Sequence, residues 1–319
     1  MSQRPAVLVT GAAGYIGGLT VAALSRRHDE LSALVALDVK DAADKLDGVD
    51  YVTMSVTDDK LAQVIEQHGV DTVVHLASVV RPPKHGGDDL AYQVDVLGTK
   101  NVLEACVDKG VRRLIVTSSG AAYGYHADSP PWLTEDDPVR GNESFAYSWN
   151  KQQIEEMLAD YRKTHPELAQ LVFRPGTVIG ETVSSPVTDL FEKPVVLGVR
   201  GFDSPFVFIW DDDVVECLGR GVFGKQTGIY NLAGDGALTP REIARLLGKP
   251  YLPLPASAIT LALSALQRLG KSARGPEQID FLRYRPVLSN RRLKAEFGYT
   301  PRYSSREAFQ KYAAYKARS

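Results

Sequence analysis

A chain of 319 residues with 44% hydrophobic content is too long for one small core and suits an α/β domain with a smaller one appended. Thirty-seven basic against 39 acidic side chains leave a net charge of −2, which excludes a bulk field for nucleic acid or an anionic membrane and leaves a small molecule as the expected partner. No apolar run is long enough to cross a bilayer, and the start MSQRPAVLVT lacks the basic-then-apolar build of a secretion signal. The two cysteines, Cys106 and Cys217, sit in helical patterns as packed thiols, so a reducing cytoplasm is expected.

In chain order, the first predicted element is a buried strand over Ala6-Val7-Leu8-Val9, which runs into Gly11, Gly14 and Gly17 and then into apolar residues at helical spacing over 15–24. Three glycines at such a turn allow a sharp reversal, close helix-on-strand packing, and a phosphate at the helix N-terminus with no Cβ in its way. A purely structural turn would look the same, and Asp38 separates the two readings. It ends the next apolar strand, about 20 residues past the last glycine, where a carboxylate can bind the ribose diol of an adenosine.

Further strands predicted at 50–56, 72–77, 113–117 and 170–173 alternate with helices over 59–68, 90–109 and 145–164. That alternation predicts a Rossmann-type doubly wound parallel sheet, with ligands beyond the carboxyl ends of the strands, near Ser78, Ser118, Ser119 and Pro175. Past 175 the rhythm breaks into a loop rich in Ser, Pro and Gly, a strand at 206–209, a helix from Asp212 and a strand at 229–232. Capping boxes at Thr239 to Glu242, with Pro240 at the first helical position, and at Ser304 to Glu307 open later helices. The expected division is a nucleotide-binding domain over 1–175, rejoined at about 206–234, and a smaller, mainly helical substrate-binding domain over 176–205 and 235–319. An apolar helix at 257–269, carrying Ile259, Leu261, Leu263, Leu266 and Leu269, reads as packing within the smaller domain or as a lipophilic wall over the substrate.

Tyr147 and Lys151 lie four apart in YSWNK on a predicted helix and so share one face. An ammonium beside a phenol favours the phenolate, which makes the two an acid–base pair. YxxxK alone is common, but here it follows a serine pair at a strand end and a glycine turn. With these parts in place the sequence resembles the extended short-chain dehydrogenases/reductases, through TGAAGYIG at 10–17, Asp38, HLAS at 75–78, VDVLGTKNVLEA at 94–105, SSGAAYG at 118–124, YSWNK at 147–151, FRPGTVIG at 173–180 and YNLAG at 230–234.

The resemblance implies NAD bound across the switch point of the sheet, with Tyr147 as acid/base, Lys151 on the nicotinamide ribose and easing ionisation of the phenol, and Ser119 on the reacting oxygen. It places Gly11, Gly14, Tyr15, Ile16 and Gly17 at the pyrophosphate, Asp38 and Val39 at the adenosine ribose, and Ser55 and Val56 at the adenine. Leu76, Ala77 and Ser78 line the ribose and nicotinamide, with Ser118 and Pro175 near the ring. A carboxylate at Asp38 repels a 2′-phosphate and favours NAD over NADP. A homodimer through the helices at 90–109 and 145–164 is implied as well.

Departures from the family bear on the substrate. Ser55 stands where an aspartate is usual. Asp95 stands for the usual asparagine, and reads equally as a solvated or capping residue or as a proton-relay or ribose contact. Thr177 replaces the asparagine of nucleotide-sugar epimerases, no basic residue lies near Ser204-Pro205, and the loop over 180–205 is short, so a diphosphate anchor is missing unless Arg200, Arg283 or Arg285 substitutes. Gly120 and Ala121 replace the acidic pair of the dehydratases. The expected activity is hydride exchange between NAD and a carbonyl or alcohol; a sugar or nucleotide-sugar epimerase is the alternative, and a non-catalytic NAD-binding regulator stands behind both. Substrate contacts are expected at Ser119, Gly120, Tyr123 and Thr177, with packing an equal reading for Tyr123 and Trp149. His75 reads as a structural histidine, and Asp211-Asp212-Asp213 as opening a helix, where carboxylates favour the dipole, so no metal is expected.

Overall fold

The computed structural model describes residues 4–42, 44–83, 86–268, 275 and 279–318. The chain runs β1 (Ala6–Thr10), α1 (Tyr15–Ser25), β2 (Ala33–Asp38), β3 (Asp50–Thr53), α2 (Leu61–Gln67), β4 (Thr72–His75), α3 (Gly87–Ala91), α4 (Gly98–Asp108), β5 (Arg113–Thr117), α5 (Ala146–Thr164) and β6 (Ala169–Pro175). It continues with β7 (Thr177–Ile179), α6 (Thr188–Glu192), β8 (Val196–Val199), β9 (Phe208–Trp210), α7 (Asp211–Phe223), β10 (Gly228–Leu232), α8 (Pro240–Leu246), β11 (Tyr251–Leu254), α9 (Ala256–Arg268), α10 (Ile279–Arg283) and α11 (Ser305–Lys316).

Seven strands form one parallel sheet in the order β10-β6-β5-β4-β1-β2-β3, so this is a Rossmann-type α/β fold. Its strands read as unbroken apolar runs because both faces are covered. Val7 and Val9 of β1 and Leu34 and Ala36 of β2 pack with Val21, Leu24, Val214 and Leu218 of α1 and α7. The alternate residues Leu8, Val35 and Leu37 face Ile65, Val102 and Leu158 of α2, α4 and α5. The strand order reverses between β1 and β4, which opens a crevice at their carboxyl ends.

The expected helix over 90–109 is broken. α3 and α4 are joined by a π-helical segment, Tyr92–Leu97, which carries Asp95. The Thr99 hydroxyl donates to the Asp95 carbonyl at 2.5 Å, a side-chain bond of the kind that loosens a regular helical ladder.

Beyond β6, β7 pairs with β9 and β8 with β11 in two small parallel sheets, and β10 alone of the segment 206–234 joins the main sheet, beside β6. Phe191, Phe206, Phe208, Trp210, Phe309 and Tyr312 build a separate aromatic core there. Both capping boxes form with their reciprocal bonds. In α9, Ile259 is buried and Leu261 is 72% exposed, while Leu269 lies outside the described residues. No helix among the described residues is long and apolar enough to cross a membrane.

Candidate active site

The glycine turn fills the switch-point crevice. Gly11 has φ +71, and a Cβ there would stand 2.6 Å from the Ala77 nitrogen beyond β4; one at Gly17 would stand 2.0 Å from the Gly11 carbonyl oxygen. Gly14 begins α1 with no side-chain cap, so the first N–H groups of the helix have no side-chain partner there. An uncapped helix N-terminus on a turn with no room for side chains fits a dinucleotide pyrophosphate. Tyr15 turns its side chain the other way: its hydroxyl donates to Asp211 Oδ2 at 2.5 Å, and burial, then this bond, push the phenol well up. A Cβ at Gly180 would collide with that pair, 1.9 Å from Asp211 Oδ2. Ile16 packs against the core on the α1 face.

At the end of β2, Asp38 accepts the Ala13 N–H and the Lys40 N–H, each at 3.0 Å, beside a small cleft lined by Ala12, Ala13, Tyr51 and Thr53. Tyr51 and Thr53 were not anticipated there, because their strand reads only as sheet. Val39 is 62% exposed at the rim. Ser55 spends its hydroxyl on Thr57 Oγ1 at 2.8 Å, and Val56 is buried with its carbonyl accepting Asn101 Nδ2 at 2.8 Å.

Past β4, Leu76, Ala77 and Ser78 are half-buried, and the backbone of Leu76 and Ala77 lies against Gly11. Asp95 is 1% exposed, which corrects the reading of it as a solvated residue. Its carboxylate accepts the Val79 N–H at 2.8 Å and the Ser78 hydroxyl at 3.2 Å, and Ser78 Oγ in turn accepts Lys151 Nζ at 3.2 Å. A buried ammonium is thus tied through one hydroxyl to a buried carboxylate. His75 bridges Thr10 Oγ1 (2.7 Å) and Thr99 Oγ1 (3.0 Å). Because Thr99 donates to the Asp95 carbonyl, it accepts from His75 Nε2–H, and Nδ1 accepts from Thr10. Burial first, then the Lys151 charge, push His75 down to about 3, so it is a neutral spacer under the site.

Ser118, buried after β5, has a hydroxyl with no partner among the described residues. Ser119 is half-buried, and its Oγ accepts the Ala121 N–H at 3.1 Å, capping the 3-10 turn Gly120–Tyr123. In the first turn of α5 Tyr147 is half-buried, and one turn on Lys151 is 4% exposed with Nζ 5.5 Å from the Tyr147 ring centroid. Gly120 lies under Leu288, whose Cδ1 would stand 3.0 Å from a Cβ there. Pro175 is buried at the end of β6, opposite Leu232, and Thr177 is half-buried at the start of β7.

Of the two readings of Tyr123, substrate contact or packing, the structure supports packing. It is 1% exposed, its one hydroxyl proton is shared between the Thr134 carbonyl and Asn231 Oδ1, each at 2.9 Å, and its oxygen accepts from Arg174 at 2.8 Å. Arg174 holds Glu155 of α5 with two bonds of 2.8 and 2.9 Å, so this buried network ties the serine loop to the helix that bears Tyr147. Sequence reasoning also missed the aromatic side chains beside Tyr147. Phe145 lies 6.3 Å from its ring, and Tyr125 and Phe281 lie 5.6 and 6.0 Å from Phe145. The run of aromatics around residue 147 was a weak signal for Phe145; nothing local pointed to Phe281. Asp211 is engaged by Tyr15, and Asp213 by the Tyr299 hydroxyl at 2.5 Å.

A parallel sheet with a glycine turn at its switch point, and a tyrosine and a lysine one turn apart on α5 with the lysine bonded to Ser78 past β4, agrees with the short-chain dehydrogenase/reductase class. The chain belongs to the NAD dependent epimerase/dehydratase family, whose model matches residues 7–193, and NAD is the cofactor of that family. An uncharacterised protein of Mycobacterium tuberculosis, Rv0501, is 27% identical over 312 residues, covering 96% of this chain and 82% of that one. A UDP-glucose 4-epimerase of Erwinia amylovora is 31% identical over 183 residues, 54% of this chain and 53% of that protein. Among solved structures, the UDP-glucose 4-epimerase of Thermus thermophilus in complex with NAD has a TM-score of 0.73 and 24% identity, with 97% and 98% of the two chains covered. MoeE5 in complex with UDP-glucuronic acid and NAD has a TM-score of 0.75 and 22% identity, with 98% and 99% covered. These two likenesses establish the fold.

Proposed function

We propose that this chain is an NAD-dependent oxidoreductase of the extended short-chain dehydrogenase/reductase type, acting on a carbonyl or alcohol. What supports the reading is that Lys151, one turn from Tyr147 with Nζ 5.5 Å from its ring, is bonded to Ser78 just past β4, and Ser78 in turn to Asp95. Gly11, Gly14 and Gly17, with the backbone of Tyr15 and Ile16, hold the pyrophosphate; Asp38 and Val39 take the adenosine ribose, and Ser55 and Val56 the adenine. Leu76, Ala77, Ser78, Ser118 and Pro175 line the nicotinamide end. When bound there, NAD supplies the hydride acceptor or donor. Tyr147 exchanges a proton with the substrate oxygen, Ser119 donates a hydrogen bond to it, and Lys151, held by Ser78, keeps a positive charge behind the phenol. The segments outside the main sheet, 176–205 and 235–319, close over the substrate, and two copies pair through α4 and α5.

The second reading is an epimerase that keeps its NAD bound, favoured by the 31% identity to the Erwinia amylovora enzyme over about half of this chain. Purified protein mixed with NADH and a panel of carbonyl compounds separates the two: net NADH consumption supports the oxidoreductase, and retained NAD without net consumption supports the epimerase. Under either reading Tyr147→Phe abolishes turnover and leaves NAD affinity nearly unchanged. Substantial residual turnover refutes both, and NAD binding with neither activity points to a regulator.

A further inference from the structure

Arg285 is a cation with no carboxylate partner among the described residues. Its guanidinium Cζ sits 3.8 Å above the Phe206 ring and 4.8 Å from the Phe281 ring. Its Nη1 donates to the Ser204 carbonyl and hydroxyl, each at 3.0 Å. Among the described residues Nη2 has no hydrogen bond, Nε is buried without a partner, and no carboxylate pairs with the group. Other arginines show what a satisfied cation looks like here. Arg174 has the bidentate Glu155, and Arg113, which lacks a carboxylate, is bonded to the carbonyls of Gly221, Gly224 and Gln226 around the end of α7.

A chain of ring contacts runs from Arg285 to the aromatic side chain beside Tyr147. Phe281, against which it packs, lies 5.3 Å from Tyr125 and 6.0 Å from Phe145, the ring next to Tyr147. Ser204, which holds Nη1, is a buried serine at φ +35, a backbone strain of the kind that collects at ligand clamps. Both rings lie against the guanidinium and Nε is enclosed, so Nη2 is the nitrogen left for an acceptor, where a carboxylate or phosphate makes a charge-assisted hydrogen bond.

We propose that Arg285 determines specificity at this site, its Nη2 taking the single anionic group, carboxylate or phosphate, of a substrate whose flat or apolar body lies against Phe145 and Phe281. The inference rests on the reading that Tyr147 reacts in this crevice. It names the substrate class: a carbonyl or alcohol compound with one anionic group on an aromatic or otherwise apolar frame.

The test is calorimetric binding of unreactive probes to the full-length protein with NAD, so that it is independent of turnover. 2-Naphthoate should bind about ten- to a hundredfold more tightly than its neutral counterpart 2-naphthamide, the range for a hydrogen-bonded charge in a dry site. Arg285→Met should erase that ratio while leaving 2-naphthamide affinity unchanged, Arg285→Lys should restore part of it, and Tyr147→Phe should leave it intact. 2-Naphthyl phosphate in parallel decides between the two anions. Naphthoate and naphthyl phosphate both binding no better than the amide in the unaltered protein, or an anion preference that survives Arg285→Met, overturns the proposal whatever the state of the variants. Arg285-dependent binding of UDP with none of the naphthyl anions overturns it in favour of a nucleotide diphosphate. Loss of turnover in the proposed reaction with the naphthoate ratio intact tells against the proposed function alone.

Discussion

Glu155→Gln removes one charge from the buried pair that connects α5 to β6. The pair is bidentate, at 2.8 and 2.9 Å, and its side chains are only 3% and 5% exposed, so solvent screening does not weaken it. Burial alone would lower the Arg174 guanidinium, and the Glu155 carboxylate keeps it above its ordinary value instead. The substitution strands that cation against Tyr123, at a cost of about 3–5 kcal/mol for a broken buried pair. Urea unfolding monitored by tryptophan fluorescence should show this loss, and Arg174→Met with Glu155→Leu should recover most of it, because the cost lies in the unpaired charge and not in the missing attraction. Because Arg174 also holds Tyr123, four residues past Ser119, the single variant should lower kcat more than it raises KM. A Glu155→Gln protein within about 1 kcal/mol of the parent would refute the reasoning and show that water or a neighbouring acceptor takes over the guanidinium.

Gly11→Ala must adopt φ +71 and bring its methyl within 2.6 Å of the Ala77 nitrogen, so β1 and β4 must part at the switch point; NAD affinity should drop by more than tenfold in a calorimetric titration. For His75 the folded value of about 3 lies below the usual 6.5, so the unfolded chain takes up the proton first. Its contribution to stability is therefore complete above about pH 6.5 and lost as the pH falls from there to about 3. Chemical denaturation across that window should give a shallower pH slope for His75→Gln than for the parent, and equal slopes would place the titration elsewhere.

Features written in neighbouring residues were legible in the sequence. The buried strand Ala6–Thr10, the glycine spacing and the carboxylate ending β2 each depend on local backbone geometry, and all three occur where expected. Both capping boxes are three-residue relations and formed as read. Asp95 was not legible, because one turn of wide helix decides whether its carboxylate meets water or Ser78. Tyr123 sits in the loop that begins with Ser119 and reads equally as a substrate contact or as packing. Its burial comes from Arg174, 51 residues on, and Asn231, 108 residues on.

By itself the sequence determined the alternation of strand and helix, hence a parallel sheet with its crevice at the carboxyl ends, and the residue types at the two ends of a dinucleotide site. Periodicity and turn chemistry act over a few residues, and those features need no more. Only the tertiary structure decided which polar groups are spent on one another. Tyr15 is bound to Asp211, 196 residues away, and Lys151 to Asp95 through Ser78, whereas Arg285 meets aromatic rings and, among the described residues, no carboxylate. Such pairings depend on how strands order and helices cross, and in a low-dielectric interior they settle which charges are satisfied and which remain to meet a ligand.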